Sequence, residues 1–170
     1  MKAHELFRLL SSDEVASFVL AACEDENVPD KIAGGVLTYQ NISLKRLAKL
    51  PEETRKAYVR RTLRDKRAAE LAIYVLSSAL VRREPALIET FLSAAGLPHE
   101  GPHVTVEGEI VEPSARKVEA AVEALLAAFP ARRSAIYLHA VTGQPDVSWP
   151  ALDQRLAGDA RLQVEDRSAS

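Results

Sequence analysis

Proline spacing limits how long a helix this chain can build. Pro29, Pro51, Pro85 and Pro150 each open an amphipathic run: "PDKIAGGVLTYQ", "PEETRKAYVRRTLRDK", "PALIETFLSAAG" and "PALDQRLAG". A proline has no backbone N–H and its ring collides with the preceding turn, so it is tolerated in a helix's first turn and breaks its interior. Punctuated in this way, the chain reads as a series of short helices.

Other end signals agree. Ser11 to Glu14 reads Ser-x-x-Glu before the apolar run "VASFVLAA". That capping-box pattern predicts a helix running to about Cys23. A shorter helix precedes it over about 3–10, and "SLKRLAKL" is another. Gly96 stands where a left-handed helix cap is expected. Val118, Ala121, Val122, Leu125, Leu126 and Phe129 form one apolar stripe at helical spacing. "AELAIYVLSSALVRRE" is apolar on nearly all sides, which predicts an enclosed helix. Gly34-Gly35 weakens the helix opened by Pro29 by roughly 2 kcal/mol against two alanines. Aromatic residues are only 5% of the chain, so its core is made of Leu, Val, Ile and Ala, material suited to closely packed helices.

From Leu97 to Pro113 the character changes. Pro98, Gly101, Pro102, Gly108 and Pro113 crowd together, and "HVTVEGEIV" alternates around Gly108. A small hairpin or loop is expected near 103–111. The predicted fold is all-α: a multi-helix bundle, or a short solenoid-like array of helix pairs. It forms a single domain over 1–170, or two parts, 1–97 and 113–164, joined by the Pro/Gly-rich connection.

A helix-pair repeat is also legible. "ASFVL" (Ala16 to Leu20), "AIYVL" (Ala72 to Leu76) and "AIYLH" (Ala135 to His139) each place an aromatic residue third. Each precedes a helix-opening proline. If this is a repeated unit, Phe18, Tyr74 and Tyr137 are buried at equivalent places in three stacked pairs.

The functional signals are sparse. The chain has one cysteine and a net charge of -2. "MKAHELFRLL" lacks the apolar run of a secretory signal, and Leu71 to Val81 is too short to span a bilayer. These features predict a cytoplasmic protein with no membrane partner. Cys23 precedes Glu24, Asp25 and Glu26, which disfavour a thiolate, so it reads as a small buried hydrophobe. Gly34-Gly35 lacks the Lys-Ser/Thr ending of a phosphate loop, and no Gly-x-Ser-x-Gly elbow is present. With no catalytic constellation and no cofactor called for, the balance points away from an enzyme.

Three functional readings remain. The first is a non-enzymatic protein-interaction or scaffold module, suggested by the repeat-like layout. The second is nucleic-acid or polyanion binding. Residues 45–67 hold ten basic and three acidic side chains. Lys56, Arg60, Arg64 and Arg67 share one helix face, with Arg61 beside them, a pattern able to track phosphates. The third is a metal site at His99, Glu100 and His103. Two His at i and i+4 with a following Glu imitate a zincin motif, but Gly101-Pro102 forbids the helix that motif needs.

The segments "FLSAAGLPHEG", "AVEALLAAFP", "AIYLHAV" and "WPAL" resemble a group of small uncharacterised bacterial helical proteins, over about residues 85–160. The resemblance implies a bacterial, cytoplasmic, all-helical chain. It carries no activity and therefore no catalytic residue.

Overall fold

A computed structural model describes residues 1–105, 110–145 and 147–168. Among them run ten α-helices: α1 (Ala3–Leu9), α2 (Ser12–Ala22), α3 (Val28–Tyr39), α4 (Leu44–Ala48), α5 (Glu52–Leu63), α6 (Ala69–Arg83), α7 (Pro85–Ala95), α8 (Ala115–Ala128), α9 (Ala131–Thr142) and α10 (Pro150–Gly158). Two strands of two residues each, β1 (His99–Glu100) and β2 (His103–Val104), form an antiparallel pair. The fold is all-α.

The punctuation works as local chemistry requires. The Ser11 hydroxyl accepts from the Glu14 N–H at 3.1 Å, and the Glu14 carboxylate accepts from the Ser11 N–H at 2.8 Å. Pro29, Pro85 and Pro150 sit in the first turns of α3, α7 and α10. Gly96 closes α7 at φ 69°, a left-handed conformation that glycine adopts without steric cost. Gly35 has a packing reason: a Cβ there would stand 2.4 Å from Leu71 Cδ2, whereas one at Gly34 would meet nothing within 4 Å.

The chain divides into two compact units. One comprises Lys2–Arg82 with the residues from Glu165 on; the other comprises Arg83–Val164 with Met1. The breaker-rich connection at 97–113 falls inside the second unit, between α7 and α8, which pack on each other.

In the first unit α5 packs against α1, α2 and α3. Leu6, Phe7, Leu10, Val28 and Leu63 are fully buried, and Phe7 meets Phe18 edge-on at 6.5 Å between ring centroids. Helix α1 ends at Leu10 in extended backbone, with no glycine cap. Arg64, the residue after α5, closes it instead. Its Nε donates to the Phe7 carbonyl at 3.0 Å and its Nη2 to the Leu10 carbonyl at 2.8 Å. The Arg167 N–H donates to the Leu9 carbonyl at 2.8 Å. In return Arg8 Nε donates to the Arg64 carbonyl at 2.9 Å. Two helix C-termini are thus each closed by an arginine from the other, where unpaired carbonyls and the helix dipole favour a cation.

In the second unit the α8 stripe is buried at Val118, Ala121, Val122 and Leu125, while Leu126 and Phe129 are half-buried. Seven consecutive residues of α9, Ser134 to Ala140, are buried, so α9 has no solvent face over that span. Along α6, which belongs to the first unit, Ala72, Val75, Leu76, Ala79 and Leu80 form one buried stripe instead, although no residue from Leu71 to Val81 is exposed. Phe91 of α7 meets the Tyr137 ring edge-on at 5.4 Å and stacks on Trp149 at 6.2 Å. Trp149 offers no cap to α10. Glu112 supplies it from the connection, accepting from the Ala151 and Leu152 N–H groups at 2.9 and 3.2 Å.

The three aromatic positions of the repeat do not share one environment. Phe18 and Tyr137 are buried at 8% and 6% exposure. Tyr74 is half-buried, with Lys31 Nζ 3.6 Å above its ring centre. The hairpin also forms earlier than the alternation suggests. His99 pairs with Val104 and Glu100 with His103 around Gly101-Pro102, with Gly101 at φ 55°. Residues 106–109 of the expected 103–111 hairpin lie outside the described residues.

Candidate interaction groove and basic stripe

Helix α2 is apolar on two sides. Val15, Phe18, Ala21 and Ala22 point into the core. Ala16, Val19, Leu20 and Cys23, at i, i+3, i+4 and i+7, form a second stripe. Ala16, Val19 and Cys23 join Val15 and Val59 in the floor of a groove of about 730 Å³ between α2 and α5. Its rim carries Asp13, Glu52, Glu53, Arg55, Lys56 and Arg60. One end is fixed by Arg60, which donates to the Ser12 hydroxyl at 2.7 Å. Cys23 and the first turn of α5 line the other, so the two helices run antiparallel along the groove. Leu20 is 76% exposed on the same helix.

Cys23 is half-buried and lines this groove instead of lying in the core. Burial pushes its thiol up, so it stays protonated at neutral pH and behaves as a small apolar lining atom.

The basic stripe is largely spent within the chain. Lys56 pairs with Glu52 and Glu53, each at 2.9 Å, and those hydrogen bonds raise its pKa. Arg60 is held by Ser12, and Arg64 closes α1; burial lowers the Arg64 pKa. Arg67 donates to Asp65 at 2.7 Å and to the Tyr39 carbonyl at 3.2 Å. The Arg67 hydrogen bonds draw the Asp65 carboxyl down to about 2. Arg61 differs: it is exposed and has no ion pair among the described residues.

The three candidate metal ligands do not converge. Glu100 and His103 are cross-strand partners, and neighbours on a strand point to opposite faces, so His99 turns away from both. Both its ring nitrogens are engaged. Nε2 lies 2.9 Å from Ser93 Oγ and Nδ1 2.9 Å from the Gly101 carbonyl oxygen. Among the described residues no three His, Cys, Asp or Glu side chains gather around a point where a metal could sit.

A smaller concavity of about 340 Å³ lies in the second unit between α8 and α10, with Glu119 and Arg155 in its wall. Arg155 is surrounded by Glu119 at 3.2 Å, Asp159 at 2.9 Å and Glu123. Three carboxylates leave that arginine no spare charge for an anion.

No family model matches the chain, and no curated protein or solved structure shows significant similarity to it.

The groove was within reach of the sequence through the second stripe of α2, which the capping box and the first stripe overshadow. The Ser93–His99 contact carries no such signal. It depends on a hairpin folding back over the end of α7.

Proposed function

We propose that the chain is a non-enzymatic interaction module whose α2–α5 groove seats an amphipathic helix of a protein partner. The observation that carries this reading is the second apolar stripe of α2. It floors a groove open to solvent and leaves Leu20 76% exposed. Covering the exposed Leu20 would contribute about 1.5–3 kcal/mol, and covering the half-buried Val19 less. Two antiparallel helices present the ridges and grooves into which a third helix packs, and anchors at i, i+3 and i+4 are how such partners bind. The rim holds charges of both signs, which orient a partner more than they tighten it.

Immobilised wild-type protein should retain a defined partner that binds as a helix. Val59→Glu and Leu20→Glu should each weaken capture more than tenfold while leaving the helical circular dichroism unchanged. Cys23 is the single cysteine and lines the floor, so a bulky maleimide on it should block capture as well. Equal capture by wild type and both variants would rule out the groove.

A second reading has its own observation. Arg61 is exposed with no ion pair among the described residues, and Arg55 stands exposed on the same helix. Polyanion binding through them would fall steeply with salt and be weakened by Arg55→Glu and Arg61→Glu together. No binding to a duplex at low salt would remove it.

A further inference from the structure

We propose that Ser93 and His99 form a nucleophile–base pair, making Ser93 a site that takes up an acyl group from an activated ester or thioester. This goes beyond the interaction groove and lies in the other unit.

The argument starts from the tautomer. The Gly101 carbonyl oxygen can only accept, so the His99 Nδ1 at 2.9 Å from it must carry the proton. In the neutral ring Nε2 then holds a lone pair. It lies 2.9 Å from Ser93 Oγ, whose hydroxyl must donate to it. That is the order of groups an activated serine needs: a hydroxyl, an imidazole in the accepting tautomer, and a fixed acceptor behind the ring. Here a main-chain carbonyl takes the orienting place that a carboxylate usually holds. Gly101 makes this possible. Its φ of 55° lets the turn curl so that its carbonyl faces a ring two residues back.

The surroundings fit proton transfer. Ser93 is exposed on the last turn of α7, open to an approaching electrophile. A helix C-terminus favours the imidazolium that forms when His99 takes the proton. Lys117 of α8 reaches over the same turn, its Nζ 2.8 Å from where a Cβ on Gly96 would stand. Gly96 is the C-cap of α7, three residues on from Ser93, so the Lys117 ammonium brings a positive charge to this end of the helix, where it could favour a developing oxyanion.

In the reaction the Ser93 proton passes to His99 Nε2 as Oγ attacks the acyl carbon. The tetrahedral centre collapses, the bond from carbon to the leaving oxygen or sulfur breaks, and His99 returns the proton to that leaving group. The products are acyl-Ser93 and a free alcohol or thiol.

The test uses the intact chain with an alkyl fluorophosphonate, and separately with p-nitrophenyl acetate, read by intact-mass and peptide mass spectrometry. The expected result is one adduct per chain at Ser93. Its rate should rise with pH and then level off, as attack through a neutral imidazole requires. Ser93→Ala should remove the adduct, and His99→Gln should slow it by roughly 100-fold or more. No adduct on the wild-type chain, an adduct elsewhere only, or an unchanged rate in His99→Gln would overturn the proposal. Should His99→Gln fail to fold, the wild-type profile decides. A rate that climbs with hydroxide and never levels off would also overturn it.

Discussion

Replacing Arg64 with methionine keeps most of the side chain's bulk and removes its donors. The Phe7 and Leu10 carbonyls then lose the groups that close α1, and both residues are fully buried. A net hydrogen bond to a charged group contributes about 1.5–3 kcal/mol. Arg64 is half-buried, so the lower figure applies, and two bonds give a loss of about 3 kcal/mol. Arg64→Lys can keep one contact and should lose about half as much. For a chain of this size 1 kcal/mol corresponds to about 2–4 °C in Tm, so Arg64→Met should melt about 6–12 °C lower. Urea denaturation followed by circular dichroism reads the free energy, and amide exchange in α1 should accelerate alongside. Arg61→Met is the control. Arg61 lies on α5 just before Arg64, exposed and with no ion pair among the described residues, and its replacement should stay within about 0.5 kcal/mol of wild type. If Arg64→Met behaves like Arg61→Met, the reasoning fails. The outcome also governs how the basic stripe is probed: loss of polyanion binding in an Arg64 variant would report unfolding of α1, whereas loss in an Arg61 variant would report a contact.

Other expectations follow from single features. His4 and His139 are buried with their Nδ1 atoms unpartnered, and burial holds both pKa values below the usual 6.5. A depressed histidine favours the fold while neutral, so its stability contribution is complete above about pH 6.5 and declines as pH falls through the folded values. Melting temperatures measured from pH 7.5 to 5 should drop, and His139→Gln should flatten the curve; an unchanged slope would count against this. Gly35→Ala must push aside the end of the Leu71 side chain, so it should be less favourable than Gly34→Ala. Gly34→Ala, into open space, should stabilise by up to about 1 kcal/mol, and the same urea titration compares the two. Glu112→Ala should cost about 1 kcal/mol by uncapping α10, seen as faster amide exchange at Ala151 and Leu152.

Features encoded within four or five residues were legible. The Ser11–Glu14 box, the opening prolines and Gly96 all act on their own turn, and the helices begin and end where those residues predict. Features made by distant segments were not. Nothing near Arg64 says that it closes a helix 57 positions away, and nothing near Glu112 says that it caps α10. The aromatic repeat illustrates the same limit. Phe18, Tyr74 and Tyr137 look equivalent in the sequence, but exposure depends on what each helix meets, and Tyr74 meets a lysine. The spacing of His99, Glu100 and His103 shows that Gly101-Pro102 breaks a helix there, but not that the hairpin sends His99 to the opposite face from Glu100 and His103.

The bond from Arg167 to Leu9 has a bearing on biosynthesis. A ribosome delivers α1 through α6 long before it reaches Arg167, so the nascent first unit waits with the Leu9 carbonyl hydrated while the whole second unit is being made. The residues of its two arginine clasps, Arg8 and Arg64, have been delivered by then. A stalled or prematurely released chain that ends before Arg167 would therefore lack this bond to the Leu9 carbonyl.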